Sequence, residues 1–394
     1  MIEKIRQKFN DNFTNEKYSN FIESCNQDAN FKIPFRISET PIFGDKKLYD
    51  KVIKAGEEIL AQVEHTINTV DLDSKIPDNK KVEGNEGEMS VVCLDYAIVK
   101  NNQELDIQLI ELQGFPSLFA FQNYLGKKYT DFWGIDDNLT YLMEGLDFDS
   151  YNKLISDFIT GNHNKENVIL LEIDPWNQGT SVDFLYTEKY FGVKTVCLSQ
   201  IKKKNNILYY ENNGKLIEIK RIYNRIILDE LEKRNDFINE FGFYEEVDVE
   251  WVCHPNWFQK CSKLMIPFLK SDYIPETYFL NEVNTDEINL EEWVLKPIFS
   301  FSGQGVIFNL QKSDIDNISN KSNYIIQRKI KYEPIVKDIN NEYSKIELRV
   351  MYIKKDGKYL PVTNLGRMTK GYLIGVKYNK DEIWVGSNIF LFER

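Results

Sequence analysis

The sequence predicts a mixed protein, part α+β and part α/β, assembled from more than one packed unit, and three stretches carry that expectation. An apolar hairpin lies near residue 100, a strand-helix-strand run begins near residue 167, and a series of strands follows a helix after Pro255. At 394 residues the chain exceeds the size at which one core usually stops growing, so two or three units are expected.

Residues 1–88 read as an N-terminal helical segment. In KLYDKVIKAGEEILAQVEHTINTV, Val52, Ile53, Ala55, Ile59, Leu60 and Val63 recur on one helical face, and the polar stretch DLDSKIPDNKKVEGNEGE follows as a loop. Residues 89–166 open with two apolar strands, MSVVCLDYAIV and IQLIELQ, joined by KNNQELD. A proline then precedes the helical run of GFPSLFAFQNYLGKKY. Residues 167–255 hold NVILLEID, the helix TSVDFLYTEKYFG capped by Thr180 or Ser181, and VKTVCLSQI, together a βαβ unit with a small parallel sheet. Next, ILYYENNGKLIEIKRIYNRI forms a hairpin that turns at Asn-Asn-Gly, with a further strand. Residues 256–394 supply a helix in NWFQKCSKLMIPFLK and strands at WVLKPIF, GVIFNL, NYIIQRKI, KIELRVMYI and KYLPVTNL.

Composition narrows the function. With 49 Lys and Arg against 61 Asp and Glu, the net charge of −12 repels a phosphate backbone, so nucleic acid is not an expected partner. No apolar run approaches the roughly 20 residues that span a bilayer, and the start, MIEKIRQKFNDNF, is polar. The expectation is a cytoplasmic protein with no membrane partner. Five scattered cysteines (Cys25, Cys93, Cys197, Cys253, Cys261) lack paired zinc spacing and fit free thiols. Three distant histidines offer little for an imidazole metal site or a Ser-His-Asp relay. Any chemistry rests on carboxylates, lysines and arginines.

WVLKPIFSFSGQGVIF concentrates those types. One strand delivers Lys296, the chain turns through Ser302, Gly303, Gln304 and Gly305, and a second strand leaves. A lysine beside a loop of small residues, whose N–H groups an anion can reach, suits a triphosphate. Alone, the segment also reads as a Gly-rich turn with a surface lysine. Around it stand Lys263 in QKCSKLMIPFL, then YIIQRKI, ELRVMYI and LGRMTKG.

This ordered set resembles the nucleotide-binding half of the ATP-grasp superfamily. The resemblance implies that Lys263 and Lys296 hold ATP phosphates beneath the flap Ser302–Gly305, and that a hinge at Gln327, Arg328, Lys329 and Ile330 meets adenine through its backbone. Glu347 of ELRV would take the ribose hydroxyls. Strand-edge solvation is the ordinary alternative for Gln327 and Glu347. The family normally closes with an acidic residue and a Glu-x-Asn pair that bind magnesium, yet none follows residue 370. Asp95 and Glu111-Leu112-Gln113 lie upstream instead, an order similar to the circularly permuted ATP-grasp group that includes glutathionylspermidine synthetase. The implied fold is therefore a circularly permuted ATP-grasp core with an associated βαβ domain of pre-ATP-grasp type.

Strand geometry adds to this independently. Alternation puts Glu111 and Gln113 on one face, and a turn centred near Gln103 sets Asp95 opposite Glu111. Opposed carboxylates are destabilising without a cation between them, and oxygen-only ligands suit Mg²⁺. A simply solvated polar face is the alternative, and Gln113 departs from the family's Asn. Arg349, Arg367 and Lys370 could neutralise a γ-phosphate or clamp a carboxylate, or could form surface salt bridges. Asp174, Trp176 and Thr180 of the βαβ unit are second-rank candidates for the acceptor side. The family's chemistry implies ATP and Mg²⁺ as cofactors, a small-molecule or peptide carboxylate and an amine as partners, and amide formation through an acyl phosphate. A phosphotransferase or a nucleotide-binding module without turnover are the alternatives.

Overall fold

An antiparallel sheet organises the molecule, in the strand order Gly386–Asn388, Lys358–Thr369, Tyr343–Lys355, Val91–Asn101, Glu104–Gln113, with Val336–Lys337 added beside Tyr343–Lys355. The computed structural model describes residues 1–102, 104–234, 240–300, 303–371 and 382–394, so the expected turn centre Gln103 and the flap residue Ser302 lie outside the described residues. The architecture is mixed α/β, as the sequence predicts. The early hairpin and the late strands, some 250 residues apart in sequence, share one sheet, with Asp95 paired to Arg349 and Glu347 to Ala97.

The helix Lys46–Thr69 is capped by Asp45, whose side chain accepts from the Leu48 N–H, and buries Val52, Ala55, Ile59, Leu60 and Val63. Gly56 permits its close approach to the sheet, since a Cβ there would collide with the Tyr352 hydroxyl. Periodicity did not reveal the strand Ile42–Gly44. It pairs in parallel with Phe390–Glu393, a contact made only once distant segments meet. The largest core joins Phe21 and Val52 to Leu94, Val350 and Phe390.

A second sheet, in the order Glu250–Val252, Arg221–Asn224, Val168–Glu172, Lys194–Cys197, is parallel throughout and has its own core around Ile169, Leu171 and Ile222. The helix between its middle and edge strands runs Ser181–Tyr186 and continues as a wider π turn, Thr187–Phe191. Thr180 precedes it without a side-chain capping bond. Asp183 instead caps another helix, accepting from the N–H groups of Leu118, Ala120 and Phe121 at the start of Phe119–Trp133, and it is ion-paired with buried Arg225. The Asn213-Gly214 turn between Ile207–Asn212 and Lys215–Ile219 has both residues at positive φ, as a tight hairpin requires.

A third, antiparallel sheet has the order Thr277–Phe279, Tyr324–Arg328, Trp293–Pro297. Two expectations are corrected here. The helix after Pro255 ends at Lys260, so Lys263 occupies a turn. Pro267 bars any α-helix from running on past Ile266, because it has no N–H for the Lys263 carbonyl and would clash there. The strand expected at GVIFNL is one bridge, Leu295 with Ile307. Beyond it the chain departs towards the helix Lys312–Asp316.

Candidate functional site

The carboxylate hairpin carries a bulge that shapes the site. Asp95 faces Glu111 but Tyr96 faces Leu109, leaving Ile110 as the extra residue. Its carbonyl is out of the ladder and accepts from Lys296 Nζ at 3.2 Å. Lys296 comes from Trp293–Pro297 in the third sheet and also donates to Gln327 Oε1 at 2.6 Å, while Gln327 Nε2 donates to Thr277 Oγ1 at 3.1 Å. Lys296 is thus buried rather than on the surface, with 9% exposure. Burial lowers its pKa to about 8, against the opposing pull of Glu111.

Lys263 is buried beside it and donates to the Ser300 carbonyl at 2.6 Å, and burial lowers its pKa too. The hydrogen-bond partners of both ammonium groups are neutral oxygens, so their charge is offset only through space by nearby carboxylates, Glu111 above all. A cleft opens at this point, lined by Glu111, Gln113, Asp229, Phe258, Lys263 and Ser300.

One face of the central sheet continues from Glu111 through Asp95 to Arg349, with Glu347 and Arg367 paired alongside. Arg349 grips Asp95 bidentately, Nε to Oδ1 at 2.5 Å and Nη2 to Oδ2 at 2.6 Å, and Arg367 Nη2 donates to the same Oδ2 at 2.5 Å. Burial disfavours the Asp95 charge, but the two guanidinium groups outweigh it and hold the carboxyl below its usual range. Glu347 accepts from Tyr332 Oη at 2.7 Å and pairs with Arg367 at 3.2 Å, and burial raises its pKa.

The structure therefore brings Lys263, Glu111 and Gln113 to one cleft, buries Lys296 against the Ile110 carbonyl next to it, and sets Asp95, Glu347, Arg349 and Arg367 on the sheet face running from it. Of the three side chains expected to face a metal, Glu111 and Gln113 line the cleft and Asp95 is held by arginines. Both Asp95 oxygens are taken, Glu111 accepts from Gln113 Nε2 at 2.8 Å, and among the described residues no three His, Cys, Asp or Glu side chains have metal-holding geometry. Gly303, Gln304 and Gly305 form an exposed turn with both glycines at φ +72°. Lys329 and Ile330 lie past the end of their strand at Arg328, and the Lys329 N–H donates to the Glu292 carbonyl. Lys370 is engaged elsewhere, pairing with Asp338 at 2.8 Å and with Glu342. Asp174 pairs with Arg234, and Trp176 is exposed.

Sequence reasoning missed Asp229 and Tyr332. Asp229 sits in an unremarkable charged run, LDELEK, and only folding carries it to the cleft, where Lys80 pairs with it at 2.6 Å. Tyr332 follows the strand Tyr324–Arg328 and had no signal beyond being aromatic. Among the described residues, no helix is long and apolar enough to cross a membrane.

No family model and no curated protein matches the sequence. Among solved structures, the fold is similar to the apo form of a glutathione synthetase-like effector from Globodera pallida. The two are 13% identical with a TM-score of 0.58, and the match covers 96% of each chain. At that identity the likeness shows the fold alone, a mixed α/β architecture.

Proposed function

We propose that this chain is an ATP-dependent carboxylate-amine ligase that forms amides through an acyl phosphate, on a circularly permuted ATP-grasp fold. The observation that carries the proposal is the meeting of two distant stretches. Lys296 of the late half rests on the Ile110 carbonyl of the early hairpin, next to Glu111, with Lys263 at the same cleft. In this assignment residues 256–394 hold the nucleotide, 89–166 complete its site, 167–255 border the acceptor, and 1–88 pack behind.

The residues fit the phosphates of ATP well. Two buried ammonium groups on neutral oxygens would bind them, and the Gly303–Gly305 turn could close over them. They fit Mg²⁺ only in part, because Glu111 and Gln113 line the cleft but Asp95 is occupied. Bound there, the metal would neutralise phosphate charge. An acceptor carboxylate attacks the γ-phosphorus, ADP leaves, and an amine then displaces phosphate from the acyl carbon. Phosphoryl transfer needs positioning and charge neutralisation more than a protein nucleophile, which suits a site of lysines and arginines.

A screen of acids and amines with Mg-ATP, read by mass spectrometry, tests this. The ligase releases ADP only when both an acid and an amine are present, and Glu111→Ala abolishes that release. ADP formed with phosphate kept on one acceptor identifies a phosphotransferase, and ATP binding without any ADP identifies a module without turnover. Full activity in Glu111→Ala would sink the site assignment.

A further inference from the structure

We propose that Asp95 is a positioning residue that holds Arg349 and Arg367 for an anionic oxygen, and not a magnesium ligand; this rests on the nucleotide assignment above. Three observations carry it. First, Asp95 is fully buried and its backbone is fixed between two partner strands, opposite Glu111 on one side and Arg349 on the other. The strand Glu104–Gln113 forms the outer edge of the sheet, so Glu111 reaches the cleft while Asp95 sits one strand further in. Second, its two oxygens receive three charge-assisted hydrogen bonds from two guanidinium groups. Mg²⁺ requires a near-octahedral oxygen shell, and on these oxygens it would stand against two fixed cations. Third, among the described residues Arg367 Nε is buried without an acceptor. A buried donor left over by an otherwise complete network is what a bound anion would satisfy. Asp95 and Glu347 thus hold Nη2 of Arg367 and leave its Nε for a phosphate or carboxylate oxygen.

The test compares the Kd of ATP in EDTA with that in excess Mg²⁺, by calorimetric titration, for the wild-type chain, Asp95→Asn, Arg367→Gln and the double variant. Removing the carboxylate leaves two arginines unheld, so Asp95→Asn weakens ATP binding in EDTA, while the EDTA-to-Mg²⁺ ratio stays within about twofold of wild type. That weakening disappears in the Arg367→Gln background, as it must if Asp95 acts through the arginine. A ratio that falls by about tenfold or more marks a lost metal ligand and overturns the proposal. Additive effects of the two substitutions overturn it as well.

If Asp95→Asn does not fold, Arg367→Gln alone decides. It removes one of the three donors on Asp95, so a true metal ligand would gain Mg²⁺ affinity and raise the ratio, whereas a positioning residue leaves it unchanged. Failure of the wild-type chain to bind ATP in either buffer removes the nucleotide assignment itself, a result distinct from a changed ratio.

Discussion

Replacing Lys296 by methionine separates what this residue does for the fold from what it does for a ligand. Burial lowers the Lys296 pKa from 10.5 to about 8. At about 1.36 kcal/mol per pH unit, the folded state disfavours its charge by about 3 kcal/mol at neutral pH. Methionine fills similar space without a charge and removes that cost. Against this, Gln327 Oε1 and the Ile110 carbonyl lose their donor. Each buried acceptor left unpaired costs about 1–3 kcal/mol, about 2–6 for the pair, so the terms largely cancel and stability at pH 7 stays within about 3 kcal/mol of wild type. Binding has no such compensation. Loss of a charge-assisted contact to phosphate costs about 1.5–3 kcal/mol, about ten- to hundredfold in the Kd of ATP. The pH dependence gives a second readout. Between about 8 and 10.5 the unfolded chain keeps a proton that folded Lys296 has lost, so wild-type stability rises with pH across that window. Lys296→Met lacks this rise. Wild-type ATP affinity falls as pH passes about 8, where the ammonium deprotonates. Urea denaturation at pH 7 and pH 10 with calorimetric titration of ATP measures all of this. Unchanged ATP affinity in Lys296→Met, or a loss of stability above about 5 kcal/mol, refutes the reasoning.

Two further outcomes concern the scaffold. Asp183→Ala leaves Arg225 buried without its carboxylate and uncaps the helix Phe119–Trp133, so stability falls by about 3–5 kcal/mol; a shift in urea unfolding worth less than about 1 kcal/mol would show the pair to be dispensable. At Gly305, φ is +72° and a Cβ would stand 2.8 Å from Pro297 Cγ, so Gly305→Ala costs about 1–2 kcal/mol, seen as a lower Tm together with weaker ATP binding. An unchanged Tm would mean that the turn relaxes freely.

How much was readable beforehand depended on the range of the interactions involved. Alternation in VVCLDYAIV and IQLIELQ specified the hairpin and the pairing of Asp95 with Glu111, because neighbouring strands joined by a short turn have little freedom in register. The 3.6-residue period of Lys46–Thr69 is equally local, and so is the Asn-Gly turn at 213–214. The flap lysine was legible as a strand residue before a glycine turn, although its burial was not.

Sequence by itself determined the local elements and the set of charged residues available for chemistry, since backbone preference and side-chain period act over a few positions. Only tertiary structure decided how those charges are spent. Arg349 could have met solvent, phosphate or a carboxylate, and it meets Asp95 because strand Tyr343–Lys355 pairs with Val91–Asn101 in one particular register. The bulge at Ile110 frees the carbonyl that Lys296 takes, and the segment after Arg221–Asn224 brings Asp229 to the cleft. Contacts between residues more than 100 positions apart depend on how whole sheets pack, and no local pattern encodes that.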